Sequence, residues 1–136
     1  MVLVDTSVWA EYFRKRPRLS SRELDRLDGL IGDDLVGIVH PVRTEVLSGR
    51  VKKARAAEVG AALHALRSLD PDWNDREVWD AIAQAAGQAR EAGAPAAGLV
   101  DRMIVVAAER AAAALWTLDR PLAELAKSRG TPVFSP

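Results

Sequence analysis

The sequence predicts an α/β fold: one central parallel sheet of four to five strands, flanked by helices on both faces. Short apolar runs rich in β-branched residues, such as Val2–Val4 and Leu35–Val39, are typical of buried strands. Longer amphipathic segments with helical spacing separate these runs. Strands that alternate with helices form parallel sheets through right-handed crossovers. A mostly helical bundle is the alternative, because the apolar runs are short and helical patterns dominate the chain.

Composition limits the class of protein. The chain has 136 residues without a linker or an internal repeat, so residues 1–136 are expected to form a single domain. It has no cysteine, which excludes disulfides and thiolate-bound zinc. No apolar run approaches the length of a membrane span and no secretion signal is recognised, so we expect a cytoplasmic protein without membrane contact. The net charge of zero argues against an evenly basic nucleic-acid binder.

The elements of the first half have recognisable ends. The first strand runs directly into Asp5–Ser7, residue types that cap helices. Ser20 and Glu23 have the spacing of a capping box, and Gly32 suits the end of the helix that they begin. After the second strand, Pro41 suits the first turn of a helix. The helices predicted here are Ser7–Phe13, Ser20–Gly32, Val42–Ser48 and Lys52–Leu69.

The second half continues the alternation. Leu69–Asp75 is turn-like with room for a brief strand, and Gly93–Gly98 is a connecting loop. The strand that begins at Ala114 is short and apolar, as a buried parallel strand should be. The remaining predicted elements are the helices Asp75–Ala92, Leu99–Ala113 and Pro121–Ser128 and the strands Ala114–Leu118 and Pro132–Phe134.

This topology brings four acidic residues to one edge of the sheet. Asp5 follows the first strand and Asp119 follows the strand that begins at Ala114, so both lie at the carboxyl edge, where α/β proteins bind ligands. Glu45 lies early in the helix that leaves this edge after the second strand. Asp101 lies in the first turn of a helix that must start at the same edge. Acids far apart in sequence are therefore expected to converge.

Clustered carboxylates repel one another, so a group of four implies a compensating cation. Oxygen ligands without cysteine favour Mg²⁺ or Mn²⁺ over zinc. Such an ion activates water and stabilises charge on a phosphodiester. Thr6, Ser7 and Thr117 flank the acids and are expected to orient the carboxylates or the ion-bound water by hydrogen bonds.

Four motifs make the chain recognisable at this point. They are Asp5-Thr-Ser-Val8, Glu45-Val-Leu-Ser-Gly49, Leu99-Val-Asp-Arg-Met-Ile-Val-Val-Ala-Ala108 and Thr117-Leu-Asp-Arg-Pro-Leu122. In order and spacing they resemble the signature of PIN-domain proteins, most closely the short bacterial ribonuclease toxins of VapBC-type toxin–antitoxin modules. The resemblance covers essentially the whole chain and implies a PIN-like fold.

The resemblance also implies an activity and partners. The acids that match the family's metal-binding carboxylates are Asp5, Glu45, Asp101 and Asp119, which would bind one or two Mg²⁺ or Mn²⁺ ions and hydrolyse RNA. A cognate VapB-like antitoxin would wrap the toxin and block the site, and the toxin would form a homodimer and a hetero-oligomer with its antitoxin.

The chain departs from the family pattern without losing a metal ligand. Leu118 stands where a polar residue is common, and Leu122 stands where an aromatic residue is common. Val105 and Val106 replace the small residues that usually follow the third acid. These departures bear on substrate fit.

Two basic segments are candidates for RNA contact. Six of the 19 lysines and arginines fall in Arg14–Arg26 and four in Arg50–Arg55. An acidic site that attracts a polyanion needs positive charge at its rim, although charge alone favours a solvated helix face. The candidate residues are Arg14, Lys15, Arg16, Arg50, Lys52 and Lys53.

Other functions remain open from the sequence. A PIN-like scaffold that binds RNA or protein without cutting would explain the fold, and another Mg²⁺-dependent phosphohydrolase would explain the acids. Trp9 and Phe13 share one face of the first helix, which suits either an apolar groove for an amphipathic partner helix or simply the core.

Overall fold

The computed structural model describes residues 1–49, 53–91, 93 and 97–136. Its centre is a four-stranded sheet in which every neighbouring pair is parallel, in the order β3-β2-β1-β4. The strands are β1 (Val2–Val4), β2 (Val36–Ile38), β3 (Arg67–Ser68) and β4 (Ala114–Trp116). The predicted α/β class with a central parallel sheet is therefore confirmed, and the helical bundle is excluded.

Seven α-helices are found within the described residues. Ser20 caps the second helix in a complete capping box, in which its hydroxyl accepts from the Glu23 N–H at 3.2 Å and the Glu23 carboxylate accepts from the Ser20 N–H at 2.7 Å. The helices are α1 (Thr6–Tyr12), α2 (Ser21–Gly32), α3 (His40–Ser48), α4 (Ala56–His64), α5 (Arg76–Glu91), α6 (Leu99–Arg110) and α7 (Arg120–Ser128). A short 3-10 turn, Lys53–Arg55, precedes α4.

The predicted helix Lys52–Leu69 is wrong at its carboxyl end. The helix ends at His64, and β3 pairs with β2 in the register Gly37 with Arg67 and Ile38 with Ser68. Gly37 makes this pairing possible, because a Cβ there would overlap the side chain of Leu69. Sheet pairing thus overrides the helical preference of an alanine- and leucine-rich segment. The start of the prediction, Lys52, lies outside the described residues.

Smaller differences concern the ends of other elements. The predicted strand Pro132–Phe134 forms only one parallel bridge, between Val133 and Leu115, beside β4. The predicted helix Leu99–Ala113 ends at Arg110, because Ala112 adopts a left-handed backbone conformation with φ of 50°. The strand predicted to extend to Leu118 ends at Trp116.

The core covers both faces of the sheet. Val2, Leu3 and Val4 alternate between the faces of β1, and all three are buried. Five consecutive residues of α6, Ile104–Ala108, are buried as well, so this helix is packed on all sides. Asp5 is the one charged residue among the described buried ones, at the carboxyl end of β1. Within the described ranges, no helix has the length and apolar character needed to cross a membrane.

Candidate active site

Asp5 is held in one orientation by hydrogen bonds to a single carboxylate oxygen. It is 4% exposed and caps α1. Its Oδ2 accepts from the Ser7 hydroxyl at 2.7 Å, from the Thr117 hydroxyl at 2.8 Å and from the Ser7 N–H at 3.3 Å. No hydrogen bond from a described residue reaches Oδ1. The orientation therefore keeps one oxygen available for a ligand.

The same two hydroxyls connect Asp5 to the segment that follows β4. The Ser7 Oγ accepts from the Leu118 N–H at 2.9 Å, and the Thr117 Oγ1 accepts from the Asp119 N–H at 3.0 Å. Both hydroxyl protons are already donated to Asp5, so the 3.3 Å approach of the two hydroxyl oxygens adds no further bond. This network fixes the start of α7, where Asp119 occupies the N-cap, relative to Asp5.

Glu45 approaches the edge from α3 and is tied to α1. The Thr6 hydroxyl donates to Glu45 Oε2 at 2.6 Å, across 39 residues of sequence. Glu45 is exposed, in contrast to Asp5. The sequence-predicted residues Thr6, Ser7 and Thr117 therefore all contact a carboxylate of the predicted cluster.

Asp101 is the acid whose electrostatic surroundings are most unusual. It lies half-buried in the first turn of α6. Burial raises the pKa of its carboxyl from the ordinary 3.8 to about 6, with further contributions from the negative charges of Asp119, Asp5 and Glu45. The structure thus places Asp119, Asp5 and Glu45 within electrostatic range of Asp101 at the carboxyl edge, as topology predicts.

The donor chemistry of this edge fits a hard divalent cation. The four acids offer only oxygen, the ligand type that Mg²⁺ and Mn²⁺ prefer. In the described part of the chain, no three side chains of His, Asp or Glu stand close enough to form a finished ligand set. Asp5, with its available Oδ1, and Asp101, which lies among the charges of the other three acids, are the residues that could hold such an ion.

A groove of about 610 Å³ opens beside this edge, between α1, α3 and α4. Thr6 and Glu45 belong to its lining, so it is continuous with the carboxylate cluster. Trp9 and Phe13, which stack with their ring centroids 5.8 Å apart, line it as well. Trp9 is 1% exposed and also belongs to the core. These aromatics therefore both line a groove and pack on the core, and the amphipathic partner helix stays a prediction.

The basic residues predicted to contact RNA separate into groups. Arg14 and Lys15 line the groove, whereas Arg16 is exposed outside its lining. Arg50 and Lys52 lie outside the described residues, and Lys53 begins the 3-10 turn before α4. The first basic segment thus supplies positive charge beside the carboxylates.

Sequence reasoning included Arg55 only as part of the candidate segment Arg50–Arg55, and it missed Asp70 altogether. Arg55 also lines the groove, where its guanidinium donates to the Phe13 carbonyl at 3.1 Å. Its place in the second basic segment was the available signal. Asp70, after β3, accepts from the His40 N–H at 2.8 Å and so caps α3 from a distant part of the chain. No short-range sequence pattern predicts this cap.

Comparisons with known proteins agree with this architecture. The PIN-domain family model matches residues 2–128, so the chain belongs to the PIN-domain family. Within it the chain resembles the VapC ribonucleases: it is 30% identical over 112 residues to VapC ribonuclease Mb1587 of Mycobacterium bovis and to Ribonuclease VapC11 of Mycobacterium tuberculosis. Each match covers 81% of this chain and 80% of the relative. The chain is thus a VapC-like PIN protein.

Solved structures share the fold at lower identity. A FitAcB structure from Neisseria gonorrhoeae superposes with a TM-score of 0.72 at 20% identity, over 99% of this chain and 97% of that chain. PAE2754 from Pyrobaculum aerophilum gives a TM-score of 0.58 at 22% identity, over 93% of this chain and 85% of that chain. These likenesses extend the fold assignment to the whole domain.

Proposed function

We propose that this protein is a metal-dependent endoribonuclease and the toxin of a toxin–antitoxin module. The observation that supports it most is Asp101, whose pKa is raised to about 6 by burial and by three neighbouring carboxylates. Such mutual repulsion is costly unless the acids share a cation. The VapC ribonucleases related to the chain supply the substrate class of the proposal.

Each acid has a role in this proposal. Asp5 and Asp101 are the principal ligands of the ion, and Glu45 and Asp119 complete the cluster. Mg²⁺ or Mn²⁺ bound there would activate water and neutralise charge on the phosphodiester. Asp5 would hold the ion through Oδ1, because its other oxygen already accepts three hydrogen bonds from Ser7 and Thr117.

The remaining residues position the acids and attract the substrate. Thr6 restrains Glu45 through its 2.6 Å hydrogen bond, which reduces the rotamer freedom lost when an ion binds. Arg14, Lys15 and Arg55 offset the acidity of the edge at the mouth of the groove. RNA is a polyanion, and such cations raise both its affinity and its rate of association.

The groove is also the proposed binding site of an antitoxin. Trp9, Phe13, Val46 and Val59 make its floor apolar, and Glu45 lies in the same lining. An amphipathic helix with a basic side chain would match both features and would cover the cluster. We further propose a homodimer, as two-fold pairs are the commonest oligomers, and a cytoplasmic location, where cellular RNA is found.

The test is an RNA-cleavage assay of the purified protein with Mg²⁺, with Mn²⁺ and with a chelator. We expect cleavage only with the metals, and a loss of about a thousandfold or more in Asp101→Asn. Asp80→Asn, an exposed acid on α5, is the matched control and should keep full activity. Undiminished cleavage by a folded Asp101→Asn protein would contradict the proposed site. RNA binding without metal-dependent cleavage would favour the non-catalytic module.

A further inference from the structure

A second cavity, of about 420 Å³, lies at the same edge of the sheet on the side of β3. His40 follows β2 and Asp70 follows β3, so both stand where parallel strands end. Arg43 and His64 complete the polar part of the lining together with Ser68. The chain has two histidines, and both are here.

The acid of this cavity has its acceptor sites occupied. Asp70 Oδ1 accepts from the His40 N–H at 2.8 Å and from the Trp73 indole at 2.7 Å. Its Oδ2 accepts from the Ser68 hydroxyl at 2.9 Å and contacts the His40 ring. Burial raises the pKa of Asp70, but these hydrogen bonds outweigh it and hold the pKa below the ordinary 3.8. Asp70 is therefore a satisfied anion with little capacity for another donor.

The nitrogen donors of the cavity are not satisfied in the same way. The Arg43 Nε is buried and has no partner within the described ranges. The remaining guanidinium nitrogens of Arg43 and the ring of His64 likewise form no hydrogen bond or ion pair with a described residue. A buried donor without an acceptor costs free energy, and guanidinium suits the oxygens of a phosphate. This cavity thus offers donors to an anion.

Helix α3 places the cavity beside the carboxylate cluster. Arg43 and Glu45 are two residues apart on α3, so they point to nearly opposite sides of the helix. One side lines this cavity and the other lines the larger groove. Since β2 neighbours β1, the ends of the strands that precede Asp5 and His40 are one strand spacing apart, roughly 4.8 Å. The cavity therefore lies on the β3 side of the carboxylate cluster along the same edge, where a polynucleotide over Asp5 could place a further phosphate.

We propose that Arg43, His40 and His64 bind a phosphate of the RNA strand on the β3 side of the one that is cleaved. This inference rests on the proposed action on RNA and adds a specific subsite to it. The subsite fixes the path of the strand along the carboxyl edge, from the groove past the carboxylates to β3. It takes the phosphate group and reads no base.

The first experiment follows the two histidine rings by NMR in the presence of a chelator, which stops cleavage. An eight-nucleotide single-stranded RNA should shift both ring signals, with the same Kd that fluorescence anisotropy gives. Inorganic phosphate at equal ionic strength should produce only small shifts that do not saturate. Unmoved rings at saturating RNA would overturn the proposal. Rings that respond to a polyglutamate peptide and not to RNA would assign the cavity to a protein partner and overturn it equally.

The second experiment changes Arg43. Arg43→Gln should raise the Kd for the same RNA about five- to tenfold and lower the slope of log K against log salt by about 0.7, the share of one phosphate on a single strand. Arg43→Lys should keep the slope, and Arg110→Gln, an exposed cation at the opposite edge, should change neither quantity. His64→Gln provides a second variant should Arg43→Gln not fold. Unchanged slopes in both variants would overturn the subsite.

Binding and cleavage separate the two proposals. A protein whose rings respond to RNA but which never cuts would retain the subsite and refute the nuclease. A protein that cuts RNA while its rings stay unmoved would retain the nuclease and refute the subsite.

Discussion

Acids at the two edges of the sheet have opposite electrostatic surroundings. At the amino edge, Glu109 near the end of α6 forms a two-pronged ion pair with Arg129, with Nε to Oε1 at 2.6 Å and NH2 to Oε2 at 2.9 Å. At the carboxyl edge, Asp101 in the first turn of the same helix faces three other acids. Among the described residues it has no ion-pair partner.

The two acids at opposite ends of α6 therefore have different roles, one in stability and one in the proposed function. Glu109 is neutralised within the chain, so its pair contributes to the folded state whatever ligand is present. Asp101 is left to a ligand from outside, and the chain tolerates repulsion there in the absence of an ion. The predictions below test this contrast, from the largest expected effect to the smallest.

After the loss of cleavage expected for Asp101→Asn, the largest effect is expected from the hydroxyls that orient Asp5. Ser7→Ala or Thr117→Val should lower metal-dependent RNA cleavage by about 10- to 100-fold, or roughly 1.4 to 2.7 kcal/mol in the transition state. The reason is that Asp5 would lose a hydrogen bond of 2.7 or 2.8 Å that keeps Oδ1 directed outward. Steady-state cleavage rates measure the effect, with Ser21→Ala on the exposed start of α2 as control. Full activity in both variants would show that Asp5 needs no such restraint.

The next effect concerns the paired edge. Glu109→Gln should destabilise the protein by about 2 kcal/mol, because Arg129 is 10% exposed and would lose its charged partner. Thermal unfolding should occur at a Tm roughly 7 °C lower. Glu77→Gln, an exposed acid on α5, should leave the Tm unchanged. A Glu109→Gln protein with unaltered Tm would remove the contrast between the edges.

Asp101→Asn should have the opposite sign. The folded-state pKa of Asp101 is about 6, above its ordinary 3.8, so its protonated form favours the folded state below pH 4. That contribution is lost as pH rises through 6. In metal-free protein at pH 7.5, Asp101→Asn should therefore raise the Tm by about 3 °C, reduced by solvent screening of a half-buried group. The gain should disappear near pH 4. A gain that is the same at both pH values would contradict the electrostatic cause.

The smallest effect belongs to the rim of the groove. Charge reversal at Arg14, Lys15 and Arg16 together should weaken RNA binding several-fold at low salt and flatten its salt dependence. The loss is limited because Arg14 already pairs with Glu11 at 2.7 Å. Binding titrations at several salt concentrations measure it. An unchanged slope would leave these residues as a solvated surface.

Much of the fold was predictable because its signals are local or topological. The capping box at Ser20 and the apolar strands specify elements, and alternation of strands and helices specifies a parallel sheet. The sheet in turn brings Asp5 and Asp119 to one edge without knowledge of any contact. The order of strands and helices along the chain is therefore enough to predict the candidate site.

What escaped prediction depends on contacts between distant elements. β3 forms within a segment of helical pattern because Gly37 has no Cβ and so leaves space for the Leu69 side chain. The hydrogen bond by which Asp70 caps α3 joins residues that are 30 positions apart. The cavity around Arg43 likewise joins α3, α4 and β3. Residue spacing within one helix or strand does not predict contacts between distant elements, so these features are visible only in the three-dimensional structure.

The short length of β3 also limits self-association of the protein through the edge of its sheet. An open strand edge invites another chain to extend the sheet, and β3 offers only two exposed residues, one of them Arg67. Gly37→Val would displace Leu69 and with it β3, which would uncover the three buried residues of β2. The new border would be apolar and longer, a template for self-association. The absence of a Cβ at Gly37 thus lets β3 cover β2 at this edge of the sheet.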